Sequence, residues 1–88
     1  MELKFIETIE GKEWVAEFEA PSDFNLHIER EITGSLVVMQ RTTTEGEYAL
    51  SYSSGKKVTD CDFCALIYPK HIKVVSSCEV SNAVVTFA

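Results

Sequence analysis

Long apolar runs are missing from this sequence. No stretch of the 88 residues approaches the roughly 20 consecutive apolar residues of a membrane-spanning helix. Basic residues are scarce as well: 8 Lys and Arg stand against 14 Asp and Glu, a formal net charge of −6. Such a surface repels phosphate backbones and anionic lipid, and the longest basic cluster is only Lys56-Lys57. Neither nucleic acid nor a membrane is therefore an expected partner. The N-terminal "MELKFIETIEGKEW" alternates acids with apolar residues. It lacks the basic start and unbroken apolar core of a signal peptide. Cysteines number 3, and an odd number cannot close a full disulfide framework. Reduced thiols in a cytosolic setting are expected.

Catalytic signatures are also absent. The chain has no Gly-rich phosphate loop, no Ser-His-Asp grouping and no paired carboxylates in an apolar setting. Neither an enzymatic activity nor a cofactor is expected. No window sustains the i, i+3, i+4, i+7 apolar spacing of an amphipathic helix over three turns.

What is present is alternation of period two. In "DFNLHIER", Phe24, Leu26 and Ile28 alternate with Asn25, His27 and Glu29, so one face is expected to be buried. "KEWVAEFEA" sets Trp14, Ala16 and Phe18 against Glu13, Glu17 and Glu19. "ELKFIETI" puts Leu3, Phe5 and Ile9 in phase, and "EYALSYSS" does the same for Tyr48, Leu50 and Tyr52. "GSLVVMQRT" is apolar on both faces, which predicts an interior strand. "HIKVVSSCEV" and "NAVVTFA" complete the set. Turn residues separate the runs about every ten positions: Gly11-Lys12, Pro21-Ser22-Asp23, Thr33-Gly34, Glu45-Gly46, Ser54-Gly55 and Pro69-Lys70. The pattern predicts one antiparallel β-sandwich domain over residues 1–88, jelly-roll-like, of about seven or eight short strands.

"TDCDFCALIY" is where metal or redox chemistry would first be sought. Cys61 and Cys64 have the spacing of a metal knuckle, and His71 and Cys78 would complete a zinc set. Structural zinc sites usually present two close-spaced pairs, and here the second pair is missing. In an extended strand, Cys61 and Cys64 point to opposite faces. A redox pair would need a helix after it, and none is expected. Asp60 and Asp62 could join a calcium site, but the acid-rich loop with a Gly at its bend is lacking. No metal is predicted. His27 falls on a polar strand face and His71 in an expected turn, so both read as solvated side chains.

Several residues read as possible interface or ligand contacts. Trp14 is the only Trp, Tyr48 and Tyr52 share an expected strand face, and "QRTTTEGEYAL" predicts a long hairpin with Arg41 at its base and Gly46 in its turn. Core of a small sandwich is the favoured reading of each aromatic, because aromatics dominate the cores of small domains. A sugar-binding module would expose Trp14, Tyr48 or Tyr52 beside Asn25 or Asp62. The final strand, Ala83 to Ala88, has no Lys or Pro to discourage pairing. At a sheet edge it would be a joint to another chain, with Val85 in it. In the interior of a sheet it would be covered by its own chain.

The order "WVAEF", "DFNLHIE", "GSLVVMQRTTTEGEYAL", "IKVVSS", "AVVTF" resembles small β-sandwich proteins of phage and prophage structural gene clusters. Those carry a strand with an aromatic, a "G-x-V-x-L-Q-R-S" strand, a turn near "D-G-G-x-W", a "Y-R-L" strand and a final valine strand. Gly34 to Thr43 matches the second element. Gly46 and Tyr48 match the turn, with Tyr in place of Trp, and Ile72-Lys73-Val74 stands in for "Y-R-L". The resemblance implies no catalytic residues. It implies a head-decoration, fibre or tail-associated part, found in the virion or in the bacterial cytoplasm during assembly. Such a part would be a homo-oligomer, with a trimer favoured, or would dock on a larger virion protein. The alternative on the same frame is a carbohydrate- or small-ligand-binding module.

Overall fold

A computed structural model describes residues 1–28, 35–41, 46–54, 60–63 and 70–88, and of residues 49–54, 60, 61 and 70 the backbone alone. The described residues form nine strands and no helix: β1 (Glu2–Leu3), β2 (Ile6–Glu7), β3 (Trp14–Ala20), β4 (Phe24–Ile28), β5 (Leu36–Arg41), β6 (Ala49–Ser54), β7 (Asp60–Phe63), β8 (Lys70–Ser76) and β9 (Ala83–Phe87). Among them, no helix is long and apolar enough to cross a membrane.

Every strand pairing is antiparallel. One sheet has the order β1-β9-β4-β7 and the other β2-β3-β8-β5-β6. Because β1 and β2 are two halves of one N-terminal segment, the described residues form eight strand stretches. Those stretches pair first with eighth, second with seventh, third with sixth, and fourth with fifth, which is the winding of a jelly roll. The expected sandwich is therefore what forms.

The N-terminal segment is the main departure from the expected strands. Leu3 is opposite Ala83 in one sheet, whereas Ile6 is opposite Val15 in the other, so the chain changes sheets at Lys4-Phe5. Ile9, expected in phase with Leu3 and Phe5, lies in the turn after β2 and is wholly exposed. That turn is closed by Thr8 N donating to Glu13 O at 2.8 Å and Gly11 N to Thr8 O at 2.9 Å. Gly11 adopts φ +68°, a conformation that costs other residues about 1 to 2 kcal/mol.

The inward-facing residues form one core. Leu26, Val38, Val74, Ala83 and Val85 have no exposed surface, and Ile28 and Leu36 keep 1% each. Four phenylalanines close one end. Phe18 of the five-stranded sheet meets Phe24 edge-on at 5.2 Å and Phe87 at 6.2 Å, while Phe24 stacks on Phe63 at 5.0 Å. Edge-on and offset rings are the favoured arrangements of aromatic quadrupoles, and here they tie the two sheets together. Ser76 is the one buried polar residue among those described. Its hydroxyl donates to Cys78 O at 2.7 Å and accepts from Cys78 N at 3.2 Å, so the turn leaving β8 supplies the partners a buried hydroxyl requires.

β9 lies between β1 and β4. The edge position considered for Ala83 to Ala88 is therefore replaced by an interior one. Val85 is corrected with it, from a possible contact residue to core. Its side chain is 0% exposed, Leu26 lies opposite on one side, and Met1 exchanges two 2.8 Å backbone hydrogen bonds with it on the other. The final valine run is apolar because its own chain covers it.

Candidate interaction surface

Cross-strand partners in a sheet share a face, so the register lays out the solvent side of the five-stranded sheet row by row. One row is apolar: Ile6, Val15, Val75 and Val37 stand side by side on β2, β3, β8 and β5. Four strands at about 4.8 Å spacing make this a stripe roughly 14 Å long. Ile6 is 73% exposed, and the three valines are half-buried. Buried rows lie on the opposite side of the same strands, as Ala16, Val74 and Val38 show.

The next row towards the Arg41 end is Glu17, Lys73 and Met39, followed by Glu19, His71 and Arg41. Acids therefore occupy the β3 column, and Lys73, His71 and Arg41 the β8 and β5 columns. Tyr48 lies across these rows. The Arg41 guanidinium carbon sits 4.2 Å from its ring centroid and Lys73 Nζ 5.6 Å. The Tyr48 hydroxyl donates to Glu17 Oε1 at 3.3 Å, and Arg41 Nη1 donates to Gly46 O at 3.1 Å. Burial raises the Tyr48 phenol above its ordinary pKa. The Glu17 carboxylate and its hydrogen bond push the same way, and Arg41 opposes them.

Of the expected hairpin, β5 pairs with β6 and Arg41 reaches Gly46 across the base, while residues 42–45 lie outside those described. Tyr48 precedes β6 and is folded onto the outer face instead of alternating within the strand. The register also shifts between Val38 and Met39, so that Tyr52 is opposite Val38 and Leu50 opposite Met39. A bulge of that kind breaks the alternation expected from Leu50 to Tyr52. The Tyr52 side chain lies outside those described. Trp14 begins β3, opposite Glu7 and Ser76, and is half-buried at the end of an inward row. His71, expected in a turn, is within β8 opposite Glu19 and Arg41.

The sugar platform of the alternative reading is not assembled from Trp14 or Tyr48 beside Asn25 and Asp62. Asn25 and Asp62 pair on the four-stranded sheet, with Asn25 Nδ2 donating to Asp62 Oδ1 at 2.9 Å. Trp14 lies in the other sheet, and Tyr48 packs on the outer face of that sheet. The pair instead borders a shallow concavity of about 360 Å³ shared with Phe63, Thr86 and Phe87. Phenylalanines at inward strand positions carry no binding signal in the sequence, so this grouping was not legible there.

Cys61 stands opposite Leu26 within β7, and Cys64 lies outside the described residues. Cys78 is half-buried and packs against the core. Among the described residues, no three His, Cys, Asp or Glu side chains are grouped to hold a metal ion. No family model, curated protein or solved structure matches the chain.

Proposed function

We propose that this protein is a non-catalytic assembly module, part of a phage or prophage particle, that works by self-association and by docking on a larger virion protein. One observation carries the reading: the apolar row Ile6, Val15, Val75 and Val37 on the solvent side of the five-stranded sheet. Aligned apolar side chains on an outer face mark interaction sites more often than isolated ones do. Tyr48, Met39 and Arg41 border the row, and aromatic, Met and Arg side chains are enriched where proteins meet. The jelly-roll frame supports a particle role by analogy alone, since coat domains, lectins and cupins all use it.

The test is hydrodynamic. Light scattering and sedimentation across a wide concentration range should give a discrete homo-oligomer. A monomer at all concentrations, from a gene with no capsid, portal or tail genes beside it, would overturn the proposal.

A second reading, a module for a small polar ligand such as a sugar, is favoured by the Asn25–Asp62 pair beside Phe63 and Phe87. Binding sites usually combine apolar walls with a few placed polar groups. Titration with simple saccharides, followed by amide shifts of Asn25, Asp62 and Thr86, decides it. Unmoved shifts at millimolar sugar remove this reading.

A further inference from the structure

The geometry points to a second copy of this chain as the occupant of the outer face of the five-stranded sheet, packed face to face about a two-fold axis. This inference rests on the self-association proposed above and adds the surface and the symmetry. The face is self-complementary. Consider an axis lying in the interface, parallel to the strands and running between β3 and β8. Rotation about it places β3 over the partner copy's β8, and β2 over its β5. Each apolar residue of the stripe then meets another: Val15 faces Val75, and Ile6 faces Val37. The same rotation sets the acidic column over the basic one, Glu17 facing Lys73 and Glu19 facing His71.

Two-fold contacts require a patch to match itself, whereas a three-fold contact joins two different patches. This face meets the first condition in both its apolar and its charged rows. Complementary charge fixes the register and disfavours other orientations, because like charges would otherwise face one another. Tyr48, held by Arg41, Lys73 and Glu17 across the same rows, would lie within the interface. Face-to-face sheets pack about 10 Å apart, which leaves room for side chains from both copies.

The experiment uses two complementary variants of the full chain. One, Glu17→Lys with Glu19→Lys, makes the β3 and β8 positions of both charged rows basic. The other, His71→Glu with Lys73→Glu, makes the same four positions acidic. Circular dichroism and thermal melts establish that each is folded. Sedimentation of the wild type should give the mass of two chains, each variant alone the mass of one, and an equimolar mixture the mass of two again. Val75→Glu in the wild-type background should also give single chains. Two results overturn the inference: a wild-type oligomer of another order that Val75→Glu leaves intact, or a wild-type dimer with variants that stay single when mixed. The first leaves the assembly reading standing on another surface, the second on this face with a different pairing. A wild type that is monomeric at all concentrations removes self-association altogether.

Discussion

At the scale of single residues, burial decides which side chains carry stability and which are free for other roles. Leu26 has no exposed surface, while its neighbour His27 is exposed on the same strand. Leu26→Ala should cost about 2 to 5 kcal/mol, the range for truncating a buried leucine. His27→Ala should change stability by less than about 0.5 kcal/mol, as at a surface site. Urea titration of both variants checks the ranking, and the reverse order would mean that the strand presents its other face. Tyr48 makes a prediction in pH. Its pKa is higher in the folded chain, with burial first among the causes and Glu17 second. The folded state therefore favours the neutral phenol. That contribution is complete below the unfolded value of about 10 and is lost as pH rises through the folded value. Stability should thus fall on the alkaline side, and less steeply in Tyr48→Phe. Urea midpoints between pH 8 and 11, with absorbance titration of the phenolate, test it. Equal alkaline slopes in the two proteins would contradict the assignment.

At the scale of elements, the short first strand does more than its length suggests. β1 covers β9 at Val84 and Ala83, and Met1 extends the pairing to Val85. Without it, β9 becomes an edge of apolar residues with no Lys or Pro, the kind of edge that templates aggregation. Removal of residues 1–4 should lower the melting temperature and produce concentration-dependent scattering, while Lys4→Glu, which leaves the pairing intact, should not. An equally soluble and stable truncation would show that the N-terminal segment is dispensable. The elements also show which parts of the fold were legible. β4 was, because Phe24, Leu26 and Ile28 all face one core and no bulge interrupts them. The division of the first strand was not, because residues 3, 5 and 6 are apolar whether the chain stays in one sheet or passes to the other. The bulge opposite Val38 was equally hidden, since the extra residue on β6 has no compositional mark. The outer apolar row is hidden in the sequence for a similar reason. Val15, Val37 and Val75 each read as ordinary strand residues, and only the register of three strands places them side by side.

At the scale of the whole molecule, the two sheets share a single core, and the first and last strands pair with one another beside it. Leu3, Leu26, Ala83 and Val85 come from the four-stranded sheet and Ala16, Leu36, Val38 and Val74 from the five-stranded one, all in one cluster. The Met1 amino group bonds Val85 O across 84 residues of sequence, so even the outermost pairing is non-local. Neither sheet can keep its inner face buried if the other leaves. Small domains of this kind usually unfold in a single cooperative step. Trp14 supplies a local reporter for that expectation. It is the only Trp and lies in β3 of the five-stranded sheet, so its fluorescence follows that sheet, whereas far-ultraviolet circular dichroism averages over both. Urea curves from the two signals should superimpose, with one midpoint and one slope, at a concentration where the oligomeric state is constant. Dichroism lost in two stages, with Trp14 fluorescence changing in only one, would mean that the four-stranded sheet opens separately. The shared core and the Phe18 contacts to Phe24 and Phe87 would then be too weak to couple the layers. Repeating the curves across protein concentrations adds the assembly. If the outer face joins two chains, both midpoints should rise together with concentration, because association stabilises the folded chain by mass action.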